Sequence, residues 1–175
     1  MKEKEGMIYM FTGEGKGKTS TGIWTAVRAA LSGKETAIIH WYKEESWKTN
    51  DQKIGDMLPN LNQYLMGKGF YKLPIDHSNA DEHKMAAKAA FLKAKELVRE
   101  VQVLVLDEVV CAVGDGLIKE EELLDLIDNR GQTHIVLTGR GASRLMIEKA
   151  HLVTEMRKVK HPFDQGVFAV EGLDF

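Results

Sequence analysis

Residues 12–20 read Thr12-Gly13-Glu14-Gly15-Lys16-Gly17-Lys18-Thr19-Ser20, between the apolar run Met7-Ile8-Tyr9-Met10-Phe11 and a helix-patterned stretch from Thr21 to Leu31. A glycine-rich turn joining a strand to a helix lets backbone N–H groups converge on phosphate oxygens, and the helix N-terminus adds partial positive charge at the same point. In that setting Lys18 neutralises phosphate charge and the Thr19 hydroxyl is available to Mg²⁺. The loop is a variant of G-x-x-x-x-G-K-[ST]: Thr12 stands where the first glycine belongs, and the glycine follows at Gly13. An ordinary surface turn with solvated lysines is the competing reading, and the two correctly placed flanks argue against it.

A second element supports the first. Val103-Leu104-Val105-Leu106 is a continuous apolar run ending in Asp107-Glu108, as a buried parallel strand delivering acids to a Mg²⁺–phosphate site would read. Taken alone, the run could equally be a buried strand with solvated acids at its end.

Strand and helix patterns alternate along the chain, which predicts an α/β fold: a single P-loop, RecA-like domain over residues 1–175 with a mostly parallel central sheet covered by helices on both faces. Strands are expected at Met7–Phe11, Thr36–His40, Val103–Leu106 and His134–Thr138, with shorter ones near Gln63–Met66, Leu152–Glu155 and Val167–Val170. The clearest helix is expected from Asp81 to Val101, where Ala87, Phe91, Ala94, Val98 and Val101 make one apolar stripe. Another runs from Lys119 to Asn129, acidic in its first turn and stopped by Asn129-Arg130-Gly131.

The chain has 175 residues, 24 basic against 26 acidic, and a formal net charge of −2. That size suits one core, and that balance argues against wrapping nucleic acid or resting on an anionic membrane by bulk electrostatics. No apolar stretch approaches the roughly 20 residues of a membrane span, and the start Met1-Lys2-Glu3-Lys4-Glu5-Gly6 lacks a signal peptide's apolar core, so a cytoplasmic protein is expected. The one cysteine, Cys111, is expected in the core rather than as a nucleophile. His40, His77, His83, His134, His151 and His161 show no metal-ligand spacing. The weakly periodic stretch from Trp41 to Asn62, continuing through Gly67 to Tyr71, carries Trp41, Tyr42, Trp47, Phe70 and Tyr71. These rings either line a large, partly apolar ligand site or anchor a long loop to the sheet. Arg157, Lys158, Lys160 and His161 read as a solvated basic turn, and Arg28 as an exposed helix arginine.

Phe11–Thr19, Val27-Arg28-Ala29, Leu106-Asp107-Glu108, Leu137-Thr138-Gly139-Arg140-Gly141 and Val159-Lys160-His161-Pro162-Phe163-Asp164-Gln165-Gly166-Val167 occur together and in this order. In this the chain closely resembles the P-loop ATP:corrinoid adenosyltransferases, nearly end to end and including the early glycine of the variant loop. The resemblance implies transfer of the 5′-deoxyadenosyl group from ATP to Co(I) of a reduced corrinoid, with release of triphosphate. It places ATP on residues 12–20 (Thr12, Gly13, Glu14, Gly15, Lys16, Gly17, Lys18, Thr19 and Ser20) and on Arg28. Lys18, Glu108 and Arg140 would act on the leaving group, with Mg²⁺, or Mn²⁺ in its stead, on Thr19, Asp107 and Glu108. The corrinoid would meet Trp41, Tyr42, Phe70, Tyr71, Lys160 and His161. It further implies a homodimer and an electron-donating reductase of the flavodoxin type.

Two departures from the family stand out. Its second loop aromatic, a tryptophan, falls here on Lys72, so Tyr71 becomes the candidate substitute; and the first strand begins at Met7, where several relatives carry an additional covering helix. Two other functions use the same motifs: a conventional P-loop ATPase or phosphotransferase, and a non-catalytic corrinoid-binding protein.

Overall fold

The computed structural model describes residues 5–47, 49–69, 71–73 and 76–173. Six strands, β1 (Ile8–Thr12), β2 (Thr36–His40), β3 (Leu61–Leu65), β4 (Val103–Asp107), β5 (His134–Thr138) and β6 (Leu152–Glu155), form one sheet in the order β3-β2-β4-β5-β1-β6. Every pairing is parallel, with Thr36 opposite Val103, Val103 opposite His134 and Ile8 opposite Ile135. The sheet is therefore parallel throughout. Its continuous apolar runs follow from burial on both faces. Val103 and Val105 pack on one side with Ile23, Ala26 and Ala30 of α1 (Lys18–Leu31), while Leu104 and Leu106 pack on the other. That second face is covered by α3 (Ala80–Leu97), α4 (Val109–Gly114), α5 (Glu120–Asp128) and Met146 of α6 (Arg144–Lys149). A four-residue helix, α2 (Ile54–Met57), lies after the β2 loop, and its Ile54 joins the first face.

Helix α3 shows how local sequence sets an element. Asn79 caps it, accepting from the N–H groups of Asp81 and Glu82, while the Glu82 carboxylate reaches back to the Asn79 N–H. This capping box fixes the start, and the stripe Ala87, Ala90, Phe91, Ala94, Leu97 is buried. The helix stops at Leu97 rather than running to Val101, because Val98 is its C-cap and residues 98–100 turn toward β4. The strand expected near Gln63 begins earlier, at Leu61, in register with Thr36 of β2. No strand forms over Val167–Val170. The run does not add to the sheet, which ends in β6, and Val167, Phe168 and Val170 stay 50%, 81% and 47% exposed.

The P-loop strand β1 and the acid-bearing strand β4 are separated by β5. The C-terminal end of β5 therefore lies between loop and carboxylates.

Candidate active site

The loop after β1 is anchored from behind: the Gly15 N–H donates to Met156 O at 2.6 Å, at the end of β6. Gly17, the N-cap of α1, has φ 118°, where a side chain would be strained. Lys18 opens the helix and folds its ammonium onto the loop, donating to Gly13 O and Gly15 O at 2.7 Å each. Burial, and then the nearby Arg140 guanidinium, hold the Lys18 pKa below its ordinary value.

Opposite the loop, the two adjacent carboxylates are treated differently. Asp107 is 1% exposed; one oxygen accepts from the Thr138 hydroxyl at 2.6 Å and the other lies 2.8 Å from His40 Nδ1. Burial would raise its pKa, but the hydrogen bonds from His40 and Thr138 outweigh that and hold the carboxyl below the usual range. Glu108 turns out of the strand at φ 63° and lines the cavity. Burial, reinforced by the charge of Asp107, pushes its carboxyl up to about 7.

The cavity at this C-terminal end of the sheet has a volume of about 650 Å³. It is lined by residues 14–20 with Glu108, Cys111 and Arg140. The same cavity is lined by Tyr42, Trp47, Tyr71, Leu73 and, from the C-terminal segment, His161, Gly172 and Leu173. Arg140 lies 3.6 Å from Glu14 across the loop. Tyr42 donates to Asp115 at 2.5 Å, and burial followed by that bond raises its phenol pKa. Tyr71 is held edgewise: its ring lies 4.7 Å from that of His83, which bonds Asp76 at 2.9 Å, with the Lys72 ammonium 4.7 Å over the ring.

Of the residues singled out in the sequence, Lys18, Thr19, Ser20, Glu14, Gly15, Lys16, Gly17, Glu108, Arg140, Tyr42, Tyr71 and His161 line one cavity. Thr12 and Gly13 stand just behind, as the end of β1 and an acceptor for Lys18. Four expectations are corrected. Trp41 is 3% exposed and packs in the core, so it anchors the loop rather than lining the cavity. Arg28 is exposed in the last turn of α1, roughly 15 Å along the helix from Lys18 at 1.5 Å per residue. Lys160 is exposed outside the cavity. Asp107, with both oxygens engaged, supports Glu108 from behind. Phe70 lies outside the described residues.

Cys111 is half-buried at the cavity wall rather than in the core, accepting from the Arg140 N–H at 3.1 Å; burial raises its pKa, which keeps it a thiol. Sequence reasoning also missed Lys43, which lines the cavity, is paired with Asp51 at 2.9 Å, and holds down the pKa values of Asp107 and Glu108. Its place three residues after the end of β2 at His40 was the signal available.

The chain is 31% identical to a corrinoid adenosyltransferase of Escherichia coli over 177 residues, covering 99% of this chain and 87% of that protein. It is 31% identical to the corrinoid adenosyltransferase CobA of Salmonella typhimurium (99% and 87% covered) and 34% identical to one from a Sinorhizobium species (99% and 82% covered). In fold it is similar to the flagellar accessory protein FlaH of Methanocaldococcus jannaschii, with a TM-score of 0.55 at 11% identity over 86% of this chain and 70% of that one. The family model for ATP:corrinoid adenosyltransferase BtuR/CobO/CobP matches residues 4–175, and the chain belongs to that family of transferases.

Proposed function

We propose that this chain binds ATP with its triphosphate in the loop of residues 13–20 and transfers the 5′-deoxyadenosyl group to Co(I) of a reduced corrinoid held against the aromatic residues of the same cavity. The observation that carries this reading is the single cavity that joins a phosphate cradle to a wall of Tyr42, Trp47, Tyr71 and Leu73. In the reaction the Co(I) electron pair attacks C5′ of the ribose, the Co–C bond forms, the C5′–O bond breaks, and its electron pair leaves on triphosphate. Because cobalt is itself the nucleophile, no protein base is required. Position and charge are what the protein supplies. Lys18 exchanges its two loop carbonyls for phosphate oxygens, the N-terminal N–H groups of α1 add their partial charge, and Arg140 closes on the leaving group from the β5 side.

The donor set fits Mg²⁺. The Thr19 hydroxyl and the Glu108 carboxylate are hard oxygens lining one cavity, and among the described residues no group of three or more His, Cys, Asp or Glu could hold a metal. A magnesium ion bound by one or two protein oxygens completes its shell with phosphate and water. When bound it would neutralise charge on the leaving triphosphate. The burial that pushes Glu108 up to about 7 supports the assignment, since a carboxylate in that environment gains most from a cation.

A homodimer is part of the proposal. Leu145, Ile147, Leu152, Val153, Phe163 and Phe168 are exposed by 37% to 81% on and around α6 and β6, the open edge of the sheet, and such a surface calls for cover. Among the described residues no helix is long and apolar enough to cross a membrane, which is compatible with a cytoplasmic enzyme served by a flavodoxin-type reductase.

The test is incubation with ATP, Mg²⁺ and chemically reduced corrinoid. The adenosylated-corrinoid spectrum with stoichiometric triphosphate is expected. ADP or orthophosphate without Co–C bond formation would identify a conventional P-loop ATPase, and binding without turnover a corrinoid carrier.

A further inference from the structure

Glu108 and Lys72 are the non-glycine residues with positive φ among those described, and Glu108, at φ 63° and ψ 14°, is the N-cap of α4. A carboxylate residue pays strain for the left-handed region and keeps it only where the surroundings over-determine it. The conformation has a geometric effect. Along a continuing strand, residues 107 and 108 would point to opposite faces; the left-handed turn breaks that alternation and leaves Glu108 on the cavity wall while Asp107 stays buried.

What over-determines it is a buried hydrogen-bond chain across four strands. The Glu108 N–H donates to Thr138 Oγ1 at 2.8 Å, and the same hydroxyl donates to Asp107 Oδ1 at 2.6 Å. Asp107 Oδ2 lies 2.8 Å from His40 Nδ1, and His40 Nε2 lies 3.3 Å from Gln63 Oε1. The Gln63 amide is turned that way by donating to Asp51 O at 2.7 Å. Thr138 is fully buried and its methyl is wedged beneath α1: a Cβ added at Gly22 would come within 2.9 Å of it. In the rotamer it adopts, with the methyl against α1, Thr138 presents its hydroxyl to the Glu108 amide. Asp107 fixes the direction of the hydroxyl proton, leaving a lone pair for the N–H.

We propose that Thr138 is a positioning residue for the metal-binding carboxylate: it locks the backbone of Glu108 in the conformation that delivers the side chain to the Mg²⁺–triphosphate site, and His40 and Asp107 act through it. The inference rests on the proposed role of Glu108 and adds the device that makes it a ligand. It also explains why the strand between the P-loop strand and the acid strand ends in a threonine. Of the two strands beside β4, β5 hands a hydroxyl to residue 108, while β2 hands His40 to Asp107.

The test separates metal from nucleotide. ATP binding to the full chain is measured in EDTA and then across a Mg²⁺ titration, with Mn²⁺ electron paramagnetic resonance as a direct readout of the ion. Thr138→Val keeps shape and removes the hydroxyl. It should bind ATP in EDTA within about twofold of wild type, because the loop and Lys18 are untouched, while the Mg²⁺ or Mn²⁺ midpoint rises at least about tenfold, the usual effect of losing an outer-shell partner. Thr138→Ser should restore the midpoint. A wild-type midpoint in Thr138→Val overturns the proposal, and so does a Ser variant as impaired as Val, which would assign the effect to the methyl. If Thr138→Val does not fold, His40→Asn, which keeps a donor toward Asp107, and His40→Leu, which does not, pose the same question one bond back; equal midpoints overturn it. If wild-type ATP binding is indifferent to the metal, the Glu108 assignment fails and takes this inference with it, whereas metal linkage surviving in Thr138→Val sinks the inference alone.

Discussion

Replacing Glu108 with glutamine is expected to strengthen the fold while weakening the site. In the folded protein burial and the neighbouring Asp107 charge raise the Glu108 carboxyl from its ordinary 4.5 to about 7, so the folded state binds a proton more tightly than the unfolded chain between those values. Stability attributable to this group is therefore lost as pH rises from 4.5 through 7. At 1.36 kcal/mol per pKa unit the ionised carboxylate costs the metal-free fold about 3 kcal/mol at pH 8 and under about 1 kcal/mol at pH 5. Glutamine matches the shape of the protonated acid and carries no charge. Urea denaturation of wild type and Glu108→Gln, both in EDTA without nucleotide, should show the variant more stable by about 3 kcal/mol at pH 8, with the gap closing toward pH 5. In thermal melts at pH 8 that corresponds to a rise of about 6–12 °C for a chain of this size. Adding ATP and Mg²⁺ should reverse the order, because only the carboxylate gains from the cation. A glutamine variant whose advantage is the same at pH 5 and pH 8, or that is less stable at both, would refute the claim that Glu108 is held against its charge.

Lys18→Ala and Thr19→Ala should retain the wild-type circular dichroism spectrum but lose about 10²–10³ in adenosyl-transfer rate, the usual effect of removing one electrostatic partner of a transition state; normal rates would remove the loop from the chemistry. Asn79→Ala deletes the α3 cap that satisfies the N–H groups of Asp81 and Glu82, and should cost about 1 kcal/mol in urea denaturation with activity at 25 °C unchanged. Glu14→Gln should tighten ATP binding by a few-fold at low salt, since Glu14 pairs with Arg140 at 3.6 Å in an exposed setting where the pair itself is worth about 0–1 kcal/mol; calorimetry at rising ionic strength should show the gain fade, and a loss of affinity would mean that Glu14 positions Arg140.

What was legible in the sequence follows from how far apart the interacting residues lie. Strands β1, β2, β4 and β5 are buried on both faces, so each betrays itself as an unbroken apolar run of local sequence. The phosphate loop is likewise contiguous, and its residues needed no long-range information to be grouped. The support for the acids was not legible. His40, Asp107 and Thr138 are separated by 67 and 31 positions, and they meet because the parallel register sets His40 beside Asp107, while β5 lies between β4 and the loop strand. Register is a property of the assembled sheet. Aromatic residues misled for a related reason: Trp41 and Tyr42 are neighbours in sequence, but one continues the buried core and the other faces the cavity. The run Val167–Val170 has strand composition, yet composition does not decide whether a run joins the sheet. Arg130 read as no more than a helix stop; it is 6% exposed and donates to Gly6 O and Ile127 O, tying the chain start to α5.

The pairings inside the cavity say how binding and folding are linked. Lys18 is docked on loop carbonyls, Lys43 on Asp51 and Arg140 on Glu14, so these three cations already have partners that a triphosphate would have to displace. This keeps a cluster of like charges from repelling in the empty site, and it means that ligand affinity is the difference between new contacts and the ones exchanged. Glu108 is the exception. Its neighbour Asp107 has taken the buried hydrogen-bond donors, His40 and Thr138, for itself, leaving Glu108 beside a fixed negative charge with Lys43, Arg140 and Lys18 as partial relief. Two adjacent carboxylates thus receive opposite roles from their surroundings: one is a permanent buried anion that organises the backbone, the other an anion in want of a cation. On the proposed reading, because the want is created by the fold itself, the free energy it costs would return on binding of a metal–nucleotide complex, and the site would be tuned to the pair rather than to either alone.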